Sequence, residues 1–397
     1  MALSYDELFC IFSRLPAKAI YKFSCVDKFF SKLPKDAYFA LRQAQNALRR
    51  NDTCFFIQPD IPIKALVYCS LQVELHQLPG EELSSGVSKN VLRYFCNSSV
   101  KILGSNNGLL LCCVSHEEQL KLFIRNPATQ SHLLIPTPMQ MQNRSDIYDH
   151  RIGFHSDLDG SYMVYLFVDD VLDWSSYFVC MVYHSNQGVW KTKEGKFFSG
   201  NRSLRFDMPV HHRGAVHFIS DCFPYLIKSS PYFIPYIMSY NFENGTSRMM
   251  RVPKEARKGS HDPSCDMRIF KWGNVSYSSQ DESICVVRLR KQVFTVWALR
   301  QHESSLWKKV LKIRIKAMGI EAKDPSQIIV KDFSVLNGHL LVFATKDKLY
   351  AYGLNDTRIH KIWEHHSQFN HLRFTSYKDT LRKCDHEIKH LSLLSNM

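Results

Sequence analysis

A faint internal repeat constrains this chain more than any single motif does. Six stretches each read as an apolar strand, a polar turn and a second strand carrying a large apolar residue. They are LVYCSLQVELHQLP (66–79), LFIRNPATQSHLLIP (122–136), MVYHSNQGVWKT (181–192), IMSYNFENGTSRMMRVP (237–253), TVWALRQHESSLWKKV (295–310) and LYAYGLNDTRIHKIW (349–363). Anchored on the last residue of the first strand, they place Tyr68, Ile124, Tyr183, Tyr240, Trp297 and Tyr352 at intervals of 56, 59, 57, 57 and 55 residues. A period of that size marks stacked or radial units, each too small to bury its own apolar face. Most units also have an upstream strand opened by a turn: NNGLLLCCV (106–114), RGAVHFIS (213–220), ESICVVRL (282–289) and NGHLLVFA (337–344). The pairs Asn107-Gly108, Asp159-Gly160, Asn244-Gly245 and Asn337-Gly338 suit turns that need positive φ. Two hairpins per unit, arranged radially, predict a β-propeller over residues 53–397, with six blades. CFFIQ (54–58) and HLRFTSY (371–377) are expected to close the ring, which removes exposed sheet edges.

Residues 1–50 follow another period. Leu8, Ile11, Phe12 and Leu15 recur at i, i+3, i+4, i+7, one face of a helix. Ser4 and Glu7 are spaced as a capping box, and Pro16 is expected to end the helix. A second apolar run passes through Ile20, Phe23 and Val26, and Pro34 precedes a third, DAYFALRQAQNALRR (36–50). The expected architecture is therefore multidomain, α followed by all-β: a three-helix module at 1–50 and the propeller at 53–397. Three short helices cannot cover this much apolar surface alone. Either the rest of the chain or another protein must do so.

The N-terminal residues carry a resemblance. Leu3, Leu8, Ile11, Phe12, Leu15-Pro16, Ile20, Phe23, Cys25-Val26, Lys28 and Phe30 follow in order the pattern of an F-box. Ser4 stands where that motif has its first proline, Asp27 where it has serine, and Phe30 at its Trp/Phe position. GSNNGLLLC, NPATQ, VYHSNQGVW and GAVHFI resemble phrases of the F-box-associated, kelch-like propeller of plant F-box proteins. The resemblance implies a substrate-recognition subunit of a Skp–cullin–F-box ubiquitin ligase. Its F-box would dock a Skp-type adaptor, and through it a cullin, by laying an apolar helix face in a groove. The implied adaptor contacts are Leu3, Leu8, Ile11, Phe12, Leu15, Pro16, Ile20, Val26, Lys28 and Phe30. The propeller would hold a target protein, but no target-contacting residue is legible. Such a receptor acts by position and needs no catalytic residue, cofactor or metal. It is expected in the cytoplasm, the nucleus or both.

Composition bounds the alternatives. The net charge is +14, and residues 246–316 hold sixteen Lys/Arg against six Asp/Glu. That stretch reads as a solvated basic face, or as a site for an acidic partner. With Trp272, Trp297 and Trp307 it also permits a stand-alone propeller that binds an acidic protein or nucleic acid; Trp297, on a repeat anchor, reads instead as core. The twelve cysteines form no C-x-x-C pair and read as buried free thiols, with Cys112-Cys113 in a core strand. No apolar run is long enough to cross a bilayer, and the N-terminus does not read as a signal peptide. HEIKH (386–390) fits a zinc-hydrolase pattern, with His386 and His390 as ligands and Glu387 as base. Little chain follows it to supply a third ligand, although His360, His365, His366 and His371 lie upstream. Dinucleotide, phosphate-loop and nucleophile-elbow motifs are absent. The chain reads as a binding protein, not an enzyme.

Overall fold

A computed structural model describes residues 3–48, 50–61, 72–79, 95, 100–116, 119–138, 151–157, 159–169, 176–224, 227–273, 283–320, 328–365 and 371–384. The N-terminal module opens with α1 (Tyr5–Phe12). Ser4 Oγ accepts from the Glu7 backbone N–H at 3.3 Å, and the Glu7 carboxylate accepts from the Ser4 N–H at 2.8 Å. Those bonds to Ser4 hold the Glu7 carboxyl below its ordinary range. Ser4 thus starts the helix by capping where the resembled motif uses proline. The helix ends at Phe12, and Pro16 instead opens α2 (Ala17–Phe23). The expectation that Pro16 terminates the first helix is corrected here. Proline is suited to a helix start because its missing N–H would have no partner there.

Asp27 caps the five-residue α3 (Lys28–Lys32) through the Phe29 N–H at 2.6 Å. This element is too short to show a period in the sequence. A 3₁₀ turn (Leu33–Lys35) leads to α4 (Ala37–Leu48), where Asp36 accepts from the Phe39 N–H at 2.7 Å.

Six antiparallel sheets follow, five of them meanders of consecutive strands. The first complete blade is β3 (Lys101–Asn106), β4 (Leu109–His116), β5 (Gln119–Asn126) and β6 (Ser131–Ile135). The second is β7 (Ile152–Ser156), β8 (Tyr162–Asp169), β9 (Tyr177–His184) and β10 (Val189–Thr192), with β11 (Phe197–Phe198) also paired to β9. The third is β12 (Val210–His212), β13 (Ala215–Ile219), β14 (Tyr236–Asn241) and β15 (Ser247–Arg251). A short helix, α5 (Lys254–Arg257), leads to the fourth: β16 (Asp266–Trp272), β17 (Ser283–Arg290), β18 (Val293–Gln301) and β19 (Leu306–Arg314). The fifth is β20 (Asp332–Leu336), β21 (Leu340–Ala344), β22 (Lys348–Gly353) and β23 (Ile359–Glu364).

The sixth sheet joins the two ends of the propeller: β1 (Cys54–Pro59) lies between β2 (Glu74–Gln77) and β24 (Leu372–Tyr377). The register runs from Cys54 opposite Tyr377 to Pro59 opposite Leu372, so the two expected closing segments do pair. Inner strands meet around the axis: β24 touches β3 and β20, β3 touches β7, and β16 touches β12 and β20. The chain is a six-bladed propeller preceded by helices.

Five repeat anchors occupy the same place. Ile124, Tyr183, Tyr240, Trp297 and Tyr352 sit on β5, β9, β14, β18 and β22, the third strand of each blade, and all are buried. Each therefore packs between its own sheet and a neighbour, which is why the spacing shows through sequence divergence. Tyr68 lies outside the described residues. In its unit the expected outer strand, Glu74–Gln77, pairs directly with β1 and so takes the third position. Spacing alone gives no information about which neighbour a strand bonds.

The hairpins separate glycine need from glycine presence. Asn107-Gly108 and Asn337-Gly338 both turn with positive φ at each residue (45° and 77°, 52° and 66°). The β17–β18 turn does the same at Lys291 (47°) and Gln292 (59°) without a glycine. Left-handed backbone costs an L-residue with a side chain about 1 kcal/mol or more, and glycine returns part of that as unfolded-chain entropy. Gln292→Gly is therefore expected to raise stability by about 0.5–1 kcal/mol, measured by denaturant unfolding. A loss of stability would mean that the Gln292 side chain contributes more than its strain removes.

Candidate functional site

The implied adaptor contacts divide into two sets. Phe12 and Ile20 are buried in the module's own core with Ala17, Leu33, Phe39 and Ala40. Leu8, Leu15 and Phe30 pack half-buried against that core, and the Phe12 and Phe30 rings stack with centroids 4.4 Å apart. Pro16 is half-buried beside them. Leu3, Ile11, Val26 and Lys28 point outward; the three apolar ones are 54%, 47% and 75% exposed. Tyr5 and Phe23 join them on the surface. Helical spacing assigns a face but cannot say what covers it, so Ile11 and Phe12 read alike in sequence. The exposed apolar groups surround a core that is already closed, which leaves them free to meet a partner without unfolding anything.

What closes that core is a segment the sequence did not single out. Leu381, wholly buried, sits in the helical core beside Phe12, Ile20 and Phe39. Its backbone N–H donates to Gln43 Oε1 at 3.0 Å, while Gln43 Nε2 donates to the Leu15 carbonyl at 3.2 Å. Lys378 Nζ donates to the Arg50 carbonyl at 2.6 Å. On its other side the same segment grips the propeller. Asn126 Nδ2 donates to the Thr380 carbonyl (2.9 Å), Tyr377 OH donates to Asn126 Oδ1 (3.0 Å), and Arg382 Nη2 donates to the Ser161 carbonyl (2.9 Å). Thr380 lies so close to Gly108 that a Cβ there would meet its Oγ1 at 2.0 Å. Residues 378–384 are thus a strap between helices and blades. A stretch whose polar atoms are bonded locally to two different units has no periodicity to read.

A cavity of about 380 Å³ runs along the propeller axis, lined by inner-strand residues. Three arginines in its wall are bonded to carboxylates or backbone carbonyls. Arg268 donates through Nη2 to Asp266 (2.7 Å) and through Nη1 to Asp332 and the Phe333 carbonyl (2.9 Å). Arg205 bridges Asp266 (2.9 Å) and Asp207 (3.4 Å). Arg373 Nη2 donates to the carbonyls of Leu103 (2.6 Å) and Asp207 (3.0 Å). Burial opposes ionisation of Asp266, but Arg268 and Arg205 outweigh it and hold its carboxyl below the ordinary range. These contacts tie neighbouring blades together rather than leaving charges aimed at a ligand.

The three tryptophans of the basic stretch are engaged in packing. Trp297 is buried with the Arg288 guanidinium 5.3 Å from its ring centroid, and Trp307 Nε1 donates to the Arg251 carbonyl at 2.9 Å. Trp272 packs half-buried against the core of the fourth and fifth blades. Lys308, Lys309, Lys312 and Arg314 lie exposed on β19, the outer strand of its blade, where charge discourages edge-to-edge pairing.

Cys112 and Cys113 are buried in β4, and burial pushes the Cys112 thiol well up, so it stays unreactive. Cys10 and Cys25 depart from the expectation of burial and lie exposed on the helices. His386, Glu387 and His390 fall outside the described residues, as does His366. Of their upstream candidates, His365 is buried and its Nε2 lies 3.0 Å from the Thr345 carbonyl. Among the described residues no group of three His, Cys, Asp or Glu is placed to hold a metal, and no helix is long and apolar enough to cross a membrane.

Residues 73–328 match the family model described as "F-box protein At3g26010-like, beta-propeller". The F-box protein At5g49610 of Arabidopsis thaliana is 24% identical over 327 residues, covering 80% of each chain. Among solved structures, TolB from Acinetobacter baumannii aligns with a TM-score of 0.44 at 12% identity, covering 82% of this chain and 66% of its own. A chain of a nidogen/laminin complex aligns with a TM-score of 0.39 at 10% identity, covering 82% of this chain and 99% of its own. Similarity that low bears on neither fold nor function, whereas the family model spans well over half of the chain. The chain belongs to the plant F-box proteins that carry an At3g26010-like β-propeller, a family that suggests a substrate-recognition role.

Proposed function

We propose that this protein is the substrate receptor of a Skp–cullin–F-box ubiquitin ligase, composed of an F-box at 1–50 and a recognition propeller at 53–397. The observation that carries the reading is the set of exposed apolar side chains, Leu3, Ile11 and Val26, around a helical core already filled by Phe12, Ile20 and Leu381. A Skp-type adaptor covers that outer face, with Tyr5 and Phe23 extending it. Phe12, Ile20, Leu8, Leu15, Pro16 and Phe30 shape the surface from beneath. Lys28 adds a cation at its rim. The cullin joins through the adaptor, in the cytoplasm or nucleus. The receptor itself contributes geometry: holding a target near loaded ubiquitin raises the effective concentration of its lysines.

The test is adaptor binding by the purified full chain beside an Ile11→Asp/Val26→Asp double variant, with near-ultraviolet circular dichroism as the control for folding. Charge placed in a desolvated apolar contact is expected to weaken binding by about a hundredfold or more. Both positions are exposed, so the variant keeps its fold. No adaptor binding by the wild-type chain would sink the ligase reading. Equal binding by both would move the contact elsewhere.

A further inference from the structure

The two ends of the propeller are not equivalent. In a four-stranded antiparallel blade, the first–second and third–fourth turns share one end, and the second–third connection lies at the other. The strap reaches Asn107 in the β3–β4 turn, Asn126 beside the β5–β6 turn and Ser161 in the β7–β8 turn. The helices are therefore held at the first–second end. The connection from β13 to β14, residues 220–235, belongs to the opposite end.

Its described residues, 220–224 and 227–235, are held in one shape. Arg202, whose side chain is 1% exposed, directs its donors into the loop. Nε and Nη2 reach the Asp221 carbonyl (3.3 and 3.0 Å), Nη1 the Phe233 carbonyl (3.1 Å), Nη2 the Phe223 carbonyl (2.5 Å), and Nη2 also pairs with Asp221 Oδ1 (3.2 Å). Pro224, Pro231 and Pro235 restrict the backbone further. The β15–β16 linker, which runs at the same end, braces it: His261 Nε2 lies 3.0 Å from the Phe233 carbonyl and the two rings meet edge to face at 4.7 Å. A buried guanidinium bonded to loop carbonyls adds little apolar core. What it does is fix a surface, and that surface presents Phe223 (75% exposed) and Ile227 (58% exposed) to solvent.

Charge on this loop and its bracing linker is unbalanced in one direction. The described carboxylates of this loop and its bracing linker are engaged: Asp221 with Arg202, Glu255 with Lys309 at 2.9 Å, and Asp262 with Arg290 at 3.1 Å and Lys291 at 3.5 Å. Lys228 on the loop, and Lys254 and Lys258 on the bracing linker, are exposed and make no ion pair among the described residues. We propose that Phe223 and Ile227, on the described part of the β13–β14 connection fixed by Arg202, form the target-contacting surface together with Lys228 and with Lys254 and Lys258 of the bracing linker, and that this surface takes an acidic protein segment with a large apolar residue set against Phe223 and Ile227. The inference rests on the receptor reading in calling that segment a target. A preorganised apolar anchor with unpaired cations on the same loop and its linker loses little entropy on binding and selects by sign of charge.

The test is panning of a displayed random-peptide library against the full chain bound to its adaptor, with enriched peptides synthesised and titrated. Enrichment of acidic peptides bearing a large apolar residue is expected. Their affinity should fall about tenfold or more in Phe223→Ser/Ile227→Ser, and similarly in Lys228→Glu/Lys258→Glu, the latter with a shallower salt dependence. All four positions are exposed, and retained adaptor binding by each variant certifies its fold. The proposal is overturned if no peptide enriches, if the enriched peptides are basic, or if they bind both variants as tightly as the parent. It is also overturned if the surface instead captures polyuridylate or a second copy of the chain. Peptide binding by a chain that fails to bind adaptor would remove the ligase reading and leave this surface standing.

Discussion

Arg268→Met is expected to destabilise the protein by about 3–5 kcal/mol, the cost typical of removing one member of a buried ion pair. Arg268 is nearly enclosed at the axis. Its guanidinium reaches Asp266 and Asp332 on neighbouring blades, donates to the Phe333 carbonyl, and lies 4.3 Å from the Phe333 ring centroid. Without it, the Asp332 carboxylate keeps only the backbone N–H groups of Leu372 (3.0 Å) and Phe333 (2.8 Å). A carboxylate that is 5% exposed and has lost its cation is the source of the cost. The penalty belongs to the orphaned charge rather than to the lost attraction. Adding Asp332→Asn to Arg268→Met is therefore expected to recover part of the stability. Denaturant midpoints of the parent, both single variants and the double variant measure this. A single-variant cost below about 1 kcal/mol would show that water or neighbouring groups already compensate the site.

Stability is also expected to fall steeply on acidification, well before most carboxylates titrate. His217 on β13 is wholly buried, and neither ring nitrogen has a hydrogen-bond partner. His212 on β12 and His302 beyond β18 face it with ring centroids 6.1 and 5.6 Å away. Arg213, Arg248 and Lys271 add positive charge around the cluster, partly offset by Glu303. Burial, then His302 and His212, pull His217 down to about 3, and burial with Arg213 pulls His212 down to about 4. Both rings are neutral in the fold, yet in the unfolded chain they take up protons below about pH 6.5. The unfolded state thus binds more protons, so stability drops as pH falls from about 6.5 toward the folded values.

For His217 the slope approaches about 1.4 kcal/mol per pH unit. His212, only partly buried, contributes less. Between pH 7 and 5 the loss is expected to be about 3 kcal/mol, followed by unfolding measurements at each pH. His217→Phe keeps a planar apolar ring and should flatten this dependence while leaving stability at pH 7 similar or higher. An unchanged slope in that variant would remove His217 as the cause.

The legible parts of this molecule were those where burial imposes a period. Tyr183, Tyr240, Trp297 and Tyr352 recur because each fills the same space between blades, and the closing segments at 54–58 and 371–377 announced themselves as strands left without a unit. The helical face at Leu8, Ile11, Phe12 and Leu15 was equally visible. What it hid was that Phe12 turns toward Leu381 while Ile11 turns toward solvent, because the covering residue lies more than three hundred positions away. Arg202, Arg268 and Gln43 were silent for a related reason. A buried polar side chain is defined by the atoms that satisfy it, and those partners are set by tertiary structure, not by spacing.

The strap and the closing blade have a consequence for how the molecule comes into being on the ribosome. The helices leave first and β1 follows, yet the helical core waits for Leu381 and β1 waits for β24. Through most of synthesis the nascent chain carries an unfilled apolar core and an open strand edge, both hazards for off-pathway association. They disappear together when the last turns of backbone arrive. A chain interrupted before residue 372 would lack both partners at once, leaving the helical core without Leu381 and β1 without β24. If the proposed receptor reading holds, docking to a ligase would in this way be conditional on a finished propeller, a proofreading step written into chain topology.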